Sequence, residues 1–331
     1  MYEASMNKGK LVFLDSGTIG SDIVWPDFSA LGDVVMYETT RPEEISDRIA
    51  DAEYLLTNKV IIRAEHIAAA KKLRYIGTIA TGYNQVDIEA AAARDIPVCN
   101  VPDYSSQTVA QHVFTLLLCL TSQICELSAS VRRGDWSKSP HFSYWFRPIT
   151  ELHGKTMGIM GFGDIGARVG YTAHAFGMRV LAYVPRSKPV PAYAPFAFVG
   201  LDELFREADV LSLHCPLTPE TDGIINAKTL GMMKETAYLI NTARGALVNE
   251  ADLLHALERG EIAGAGLDVV SEEPMPDSNP LRGARNCIIT PHVAWASVEA
   301  RERLMQGVFD NIRNFKDGRP SNVKNGVGEA S

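Results

Sequence analysis

Residues 156–166 read Thr-Met-Gly-Ile-Met-Gly-Phe-Gly-Asp-Ile-Gly, a short apolar run closing on Gly161-Phe162-Gly163-Asp164-Ile165-Gly166. The spacing is G-x-G-x-x-G. Glycines cluster in ordinary turns, so the spacing says little until its surroundings are read. A β-rich run, Thr156–Met160, precedes it, a helical pattern over 164–176 follows, and a second β-rich run, Arg179–Tyr183, completes a βαβ unit. In such a unit Gly161 permits the tight turn, Gly163 lets a pyrophosphate approach the backbone, and Gly166 lets helix and strand pack closely. Asp164 and Ile165 then open a helix whose N-terminus offers amide donors and a positive dipole. The stretch predicts a dinucleotide-binding domain.

Outward from this unit the alternation continues. Downstream, strands are expected at 210–214, Tyr238–Asn241, 264–269 and 287–290, and a last helix at 297–315. Upstream, strands at 10–15, 34–38, 53–57, 74–80 and 98–100 alternate with helical patterns at 43–50, 64–71 and 86–94. Alternation of this kind implies crossover connections and parallel sheets. The expected fold is α/β, two doubly wound parallel-sheet domains, one inserted in the other. A single long helix is expected over 105–125, followed by an irregular stretch, 134–148, that carries Trp136, His141, Tyr144, Trp145 and Phe146. So many aromatics are costly to leave in water, so the stretch either folds onto its own domain or docks on a second subunit. The tail, 316–331, is Gly-rich and charged and is expected to dock loosely or fray.

The length agrees with two domains: 331 residues at roughly 150 per domain. With 46% hydrophobic and 22% charged residues, 26 Gly and 17 Pro, the chain is no disulfide miniprotein, collagen or disordered polymer. Lys and Arg total 32 against 40 Asp and Glu, a net charge of −8 without a basic block, which argues against nucleic acid or an anionic membrane as partner. Cys99, Cys119, Cys125, Cys215 and Cys287 are odd in number and lack C-x-x-C spacing, so they read as reduced thiols and no metal is expected. The longest apolar run, 113–120, is too short to span a bilayer, and no basic-then-apolar leader opens the chain. A cytoplasmic location is expected.

The chemistry lies at strand ends. After Arg179–Tyr183, where a carboxylate would hold the adenosine ribose of NAD, stands Val184, followed by Pro185, Arg186, Ser187 and Lys188. Loss of the acid and gain of cations favour NADP(H) slightly over NAD(H), with use of both possible. Arg244 follows the strand Tyr238–Asn241, Glu273 the strand at 264–269, and His292 the strand at 287–290. In open parallel sheets the carboxyl ends of the strands line the ligand crevice, so the three can converge. Arginine holds a carboxylate by a two-pronged bond, histidine moves a proton near neutral pH, and a glutamate fixes its tautomer and favours its charged form. His214, beside Cys215 and Pro216 at a strand end, lines the cofactor crevice without proton transfer. His66, His112 and His255 fall on predicted helices, and no G-x-S-x-G elbow supports a serine nucleophile.

These residues resemble the D-isomer-specific 2-hydroxyacid dehydrogenases over nearly the whole chain: Ala80-Thr81-Gly82-Tyr83-Asn84, Val109-Ala110-Gln111-His112, the glycine loop, His214-Cys215-Pro216-Leu217-Thr218, 241–245, Asp268, Glu272-Glu273-Pro274 and Pro291-His292. The resemblance implies that Arg244 binds and polarises a 2-keto acid, that His292 is the acid/base, and that Glu273 is its partner. It implies that the backbone at Thr81 and Gly82 grips the substrate carboxylate, and that Thr108, Thr242, Asp268 and the glycine loop hold NAD(P)H. It further implies a homodimer and a Rossmann cofactor domain, 103–294, inserted into a flavodoxin-like substrate domain, 1–102 with 295–331. Within the family the chain is most similar to glycerate dehydrogenases (hydroxypyruvate reductases). A bulkier D-2-hydroxy acid, or a dehydrogenase-like corepressor that senses the cofactor, are the alternatives. Val184 in place of Asp, and Gln111 in place of the more frequent Glu, depart from the pattern.

Overall fold

The computed structural model describes residues 9–328. The chain divides into two compact units, Met1–Ser105 with Ala296–Ser331, and Ser106–Trp295. In the first, strands β1 (Lys10–Phe13), β2 (Asp33–Met36), β3 (Tyr54–Thr57), β4 (Tyr75–Thr78) and β5 (Val98–Cys99) form one sheet in the order β2-β1-β3-β4-β5, every pair parallel. That is the flavodoxin-like winding. Helices α1 (Ile45–Ile49), α2 (Ala64–Ala69) and α3 (Ile88–Ala92) make the crossovers. The central strands β3 and β4 are buried at every position, as strands covered on both faces must be, and so are uniformly apolar or Thr/Gly rather than alternating.

The second unit begins with α4 (Ser106–Ser122) and α5 (Ile124–Arg132) and continues through β6 (Thr156–Met160), α6 (Asp164–Ala175), β7 (Arg179–Tyr183), β8 (Phe196–Phe198), α7 (Leu201–Glu207) and β9 (Val210–Leu213). Then come α8 (Ala227–Leu230), β10 (Tyr238–Asn241), α9 (Glu250–Arg259), β11 (Gly264–Leu267) and β12 (Cys287–Ile289). The sheet order is β12-β11-β10-β9-β6-β7-β8, all parallel. Counted from β6, this is the Rossmann order with one strand added, and the winding reverses between β6 and β9. Two apolar clusters pack the sheet, one around Leu211, Leu239 and Leu253, the other around Leu117, Ile159 and Val180. Each such side chain contributes about 1.5–3 kcal/mol on burial. The last helix, α10 (Val298–Lys316), returns to the first unit.

One expectation fails, and two others are sharpened. The helix expected over 105–125 is two helices bent by 59°, because Gln123 sits in the left-handed region at φ 55°. Its side chain explains this: Oε1 accepts from the Phe146 and Arg147 amides at 3.2 Å each, and Nε2 donates to the Arg147 carbonyl. Of the two outcomes expected for the tail, docking is the one seen through residue 328. Val323 bridges Cys99 antiparallel, the Lys324 amide donates to the Val98 carbonyl at 2.8 Å, and Asn325 Oδ1 accepts from the Val98 amide, so the tail covers the open edge of β5. Residues 329–331 of that expectation, and the start of the chain through residue 8, lie outside the described residues. Finally β8, three residues long and directly following Pro195, is an addition to the expected strands; it is an edge strand too short to show a pattern. Among the described residues no single helix is long and apolar enough to cross a membrane.

Candidate active site

The glycine loop joins β6 to α6 at the reversal of the sheet. Gly161 has φ 97°, and a Cβ there would lie 2.6 Å from the Cys215 amide nitrogen and 2.7 Å from the His214 carbonyl, so only glycine fits. A Cβ at Gly166 would meet the Gly161 carbonyl at 2.2 Å, whereas one at Gly163 would meet nothing within 4 Å. The backbone is thus packed hard on one side and open on the other. Gly163 caps α6 without any side-chain bond, and Asp164 and Ile165 form its first turn, which leaves donors for an anion. Thr242 Oγ1, at the end of β10, is buried and has no hydrogen-bond partner among the described residues. An orphaned buried hydroxyl, an open glycine cradle and an uncapped helix N-terminus fit a bound dinucleotide.

The rest of the expected cofactor set is distributed around this loop. Val184 directly follows β7, partly buried against an apolar cluster, with Arg186 and Ser187 exposed just beyond. The Lys188 ammonium donates to the Phe162 carbonyl at 2.8 Å, inside the glycine loop. His214 Nε2 contacts Ser212 Oγ at 2.8 Å, and desolvation holds the ring down to about 3, so it stays neutral. Burial pushes the neighbouring Cys215 thiol up to about 11, which leaves it protonated. The Pro216 carbonyl accepts from Thr221 Oγ1. Thr108 lies in the first turn of α4, partly buried.

The three strand ends carry the reactive groups. His292 Nδ1 lies 2.6 Å from Glu273 Oε2, and Glu273 Oε1 accepts from the Val270 amide. An ionised carboxylate only accepts, so Nδ1 carries the proton and the ring's other nitrogen, Nε2, is the one available to a reacting group. His292 has φ 55°, an uncommon conformation for a residue with a Cβ. Its amide donates to the Asp268 and Thr290 carbonyls, and its own carbonyl accepts from Trp295 Nε1 at 2.9 Å. Asp268 is buried and accepts from Thr290 Oγ1 at 2.6 Å, the Val293 amide at 2.9 Å and the Ala294 amide at 2.7 Å.

Arg244 is exposed at the end of β10, with Nη1 on the Ala243 carbonyl at 2.7 Å and its own carbonyl held by Asn241 Nδ2. The next residue brings that loop against the loop after β11: a Cβ at Gly245 would lie 1.9 Å from the Val270 carbonyl carbon. Thr81 and Gly82 belong to the first unit, in the loop after β4. There Thr81 Oγ1 donates to the Val101 carbonyl at 3.1 Å and the Thr81 carbonyl accepts from Asn100 Nδ2 at 2.6 Å. Sequence reasoning passed over one residue that contacts this region. His112, on α4, places Nε2 2.9 Å from Thr290 Oγ1; nothing in its helical spacing pointed there. Among the described residues no cluster of His, Cys, Asp and Glu is arranged to hold a metal.

A parallel sheet of Rossmann order with a dinucleotide cradle and a Glu-paired histidine at neighbouring strand ends defines a nicotinamide-dependent oxidoreductase. Residues 114–294 match the D-isomer specific 2-hydroxyacid dehydrogenase NAD binding domain. The chain is 42% identical over 320 residues to a hydroxypyruvate reductase of Blautia hydrogenotrophica, covering 96% of this chain and 99% of that one. It is 43% identical over 317 residues to a glycerate dehydrogenase of Methylorubrum extorquens, covering 95% and 98%. Among solved structures, the NADPH-dependent glyoxylate/hydroxypyruvate reductase of Sinorhizobium meliloti in complex with NADP and malonate superposes with a TM-score of 0.83 at 27% identity, covering 96% and 97%. The chain belongs to the D-isomer-specific 2-hydroxyacid dehydrogenases, enzymes that use NAD(P) on small 2-keto and 2-hydroxy acids.

Proposed function

We propose that this enzyme reduces hydroxypyruvate and glyoxylate to D-glycerate and glycolate, with His292 as acid/base, Glu273 as its partner and Arg244 as the group that binds and polarises the keto acid. The observation that carries the reading is the 2.6 Å contact between His292 Nδ1 and Glu273 Oε2 at adjoining strand ends. When bound, the nicotinamide supplies or accepts the hydride at C2. In the reducing direction protonated His292 gives its Nε2 proton to the keto oxygen, and the Arg244 guanidinium offsets the negative charge developing there. Glu273 accepts from Nδ1 and so holds the ring in the tautomer that leaves Nε2 for the substrate. In the oxidising direction neutral His292 takes the hydroxyl proton. Thr81 and Gly82 grip the substrate carboxylate through their backbone; the bonds from Thr81 to Val101 and from Asn100 to Thr81 fix that loop.

The cofactor set is Thr108, the glycine loop from Gly161 to Gly166, Val184, Arg186, Ser187, 214–216, Thr242 and Asp268, with NADP(H) slightly favoured. An apolar Val184 removes the carboxylate that would repel a 2′-phosphate, and Arg186 and Ser187 stand exposed beside it. We assign a homodimer, because Trp136, Phe142, Trp145 and Phe146 are each half or more exposed on the isolated chain. A cytoplasmic location accords with five free cysteines. The test is a kinetic panel of hydroxypyruvate, glyoxylate, pyruvate and bulkier 2-keto acids, each with NADH and NADPH. Highest kcat/KM on the two smallest polar acids is expected. Preference for a bulky acid would overturn the substrate assignment, and absence of turnover on all of them would favour a cofactor-sensing binding role.

A further inference from the structure

We propose that His112 is a positioning residue for the acid/base step, holding Thr290 and thereby the turn that seats His292 on Glu273. The proposal rests on the reading of His292 as the acid/base.

The starting point is a residue in an uncommon conformation. His292 at φ 55° costs of order 1–3 kcal/mol and persists only where its surroundings over-determine it. The surroundings are the buried Asp268 and what it holds. Asp268 Oδ1 accepts from Thr290 Oγ1 and the Val293 amide, Oδ2 accepts from the Ala294 amide, and its carbonyl accepts from the His292 amide. Residues on both sides of His292 are therefore tied to one carboxylate. These bonds come from the ends of β11 and β12 and the turn itself. His112 reaches in from α4, a separate element.

Proton counting fixes what His112 does there. The single proton of the Thr290 hydroxyl goes to Asp268 at 2.6 Å, and an ionised Asp268 has none to return. The 2.9 Å contact between Thr290 Oγ1 and His112 Nε2 is then a hydrogen bond only if Nε2 carries a proton and donates it. The same nitrogen lies 3.4 Å from Asp268 Oδ1. Burial alone would raise the Asp268 carboxyl, but the bonds from His112, Thr290, Ala294 and Val293 outweigh it and leave it below the usual range. His112 thus orients the hydroxyl that Asp268 accepts and helps keep that carboxylate ionised. It pins the start of the turn to α4. Its contacts are with Thr290 Oγ1 and Asp268 Oδ1, so its influence on His292 runs through Thr290 and the turn that follows it.

The experiment compares full-length parent, His112→Leu, His112→Gln, Thr290→Val and His292→Ala, with steady-state hydroxypyruvate reduction using NADPH and NADH, cofactor Kd by fluorescence, and Tm. Glutamine places an amide donor where imidazole Nε2 stands; leucine does not. The expected result is a kcat about tenfold to a hundredfold lower in His112→Leu, the cost of misplacing a catalytic group by about 1 Å. Substrate KM and cofactor Kd should stay within about twofold of the parent, and His112→Gln should recover most of the loss. Thr290→Val should show the same kcat loss, and it decides the matter if His112→Leu fails to fold. An unchanged kcat in the folded His112→Leu or Thr290→Val protein overturns the proposal. So does a fall of kcat together with cofactor affinity that glutamine does not repair. Near-parent turnover in His292→Ala instead overturns the acid/base reading, and the proposal with it.

Discussion

At the scale of single residues, the chemistry depends on which charges face which atoms. Glu273 is the negative neighbour of an imidazole 2.6 Å away. Glu273→Gln keeps the shape and removes the carboxylate that accepts from Nδ1, so the ring is no longer held in one tautomer and orientation. The kcat for hydroxypyruvate reduction should fall by roughly tenfold to a hundredfold while cofactor Kd stays near that of the parent. An unchanged kcat would make Glu273 structural only. Arg186 is the second test. An Arg–phosphate bond is charge-assisted and about twice as strong as a neutral one, so Arg186→Ala should lower kcat/KM with NADPH by roughly tenfold and leave NADH nearly untouched. Equal loss with both cofactors would remove Arg186 from 2′-phosphate recognition.

At the scale of elements, the loops after β10 and β11 stand only because Gly245 has no side chain. A Cβ there would sit 1.9 Å from the Val270 backbone, and overpacking of this kind costs about 1–3 kcal/mol or more. Gly245→Ala should therefore lower Tm by several degrees, whereas Gly163→Ala, whose added methyl meets no protein atom within 4 Å, should leave Tm close to that of the parent and weaken cofactor binding instead. Equal falls of Tm would mean that the Gly245 contact does not hold these two loops together. What the sequence disclosed follows the same local logic. Strands β6, β7 and β10 are apolar runs bounded by turn residues, and they occupy the expected residues. The pairing of His292 with Glu273 was legible because both follow such strands. The break at Gln123 was not, since its cause is bonding to residues 23 and 24 positions later. His112 was illegible for the same reason: its partner is 178 residues away.

At the scale of the whole molecule, stability has an acid-sensitive contribution that the chemistry does not use. Arg301 Nη2 donates to Asp22 Oδ2 at 2.7 Å, Nη1 reaches Oδ1, and Nη1 also holds the Ile19 carbonyl. The Arg301 hydrogen bond lowers the Asp22 carboxyl from 3.8 to about 2. The unfolded chain therefore binds more protons in that interval, and the stabilisation is present above pH ~4 and lost as pH falls through ~2. Asp22→Asn should flatten the fall of Tm between those limits; an identical fall in both proteins would remove the pair from acid stability. The aromatic stretch 134–148 makes its own prediction: the protein should run as a dimer by light scattering, and replacing Phe142 and Trp145 with Ser should shift it towards monomer. The most direct test of the whole account is the turnover of His292→Ala on hydroxypyruvate, measured beside its affinity for NADPH. A general acid contributes about two to four orders of magnitude, so kcat should fall by that amount while the cofactor Kd stays near that of the parent. Turnover within a few-fold of the parent, with the cofactor equally well bound, would contradict it.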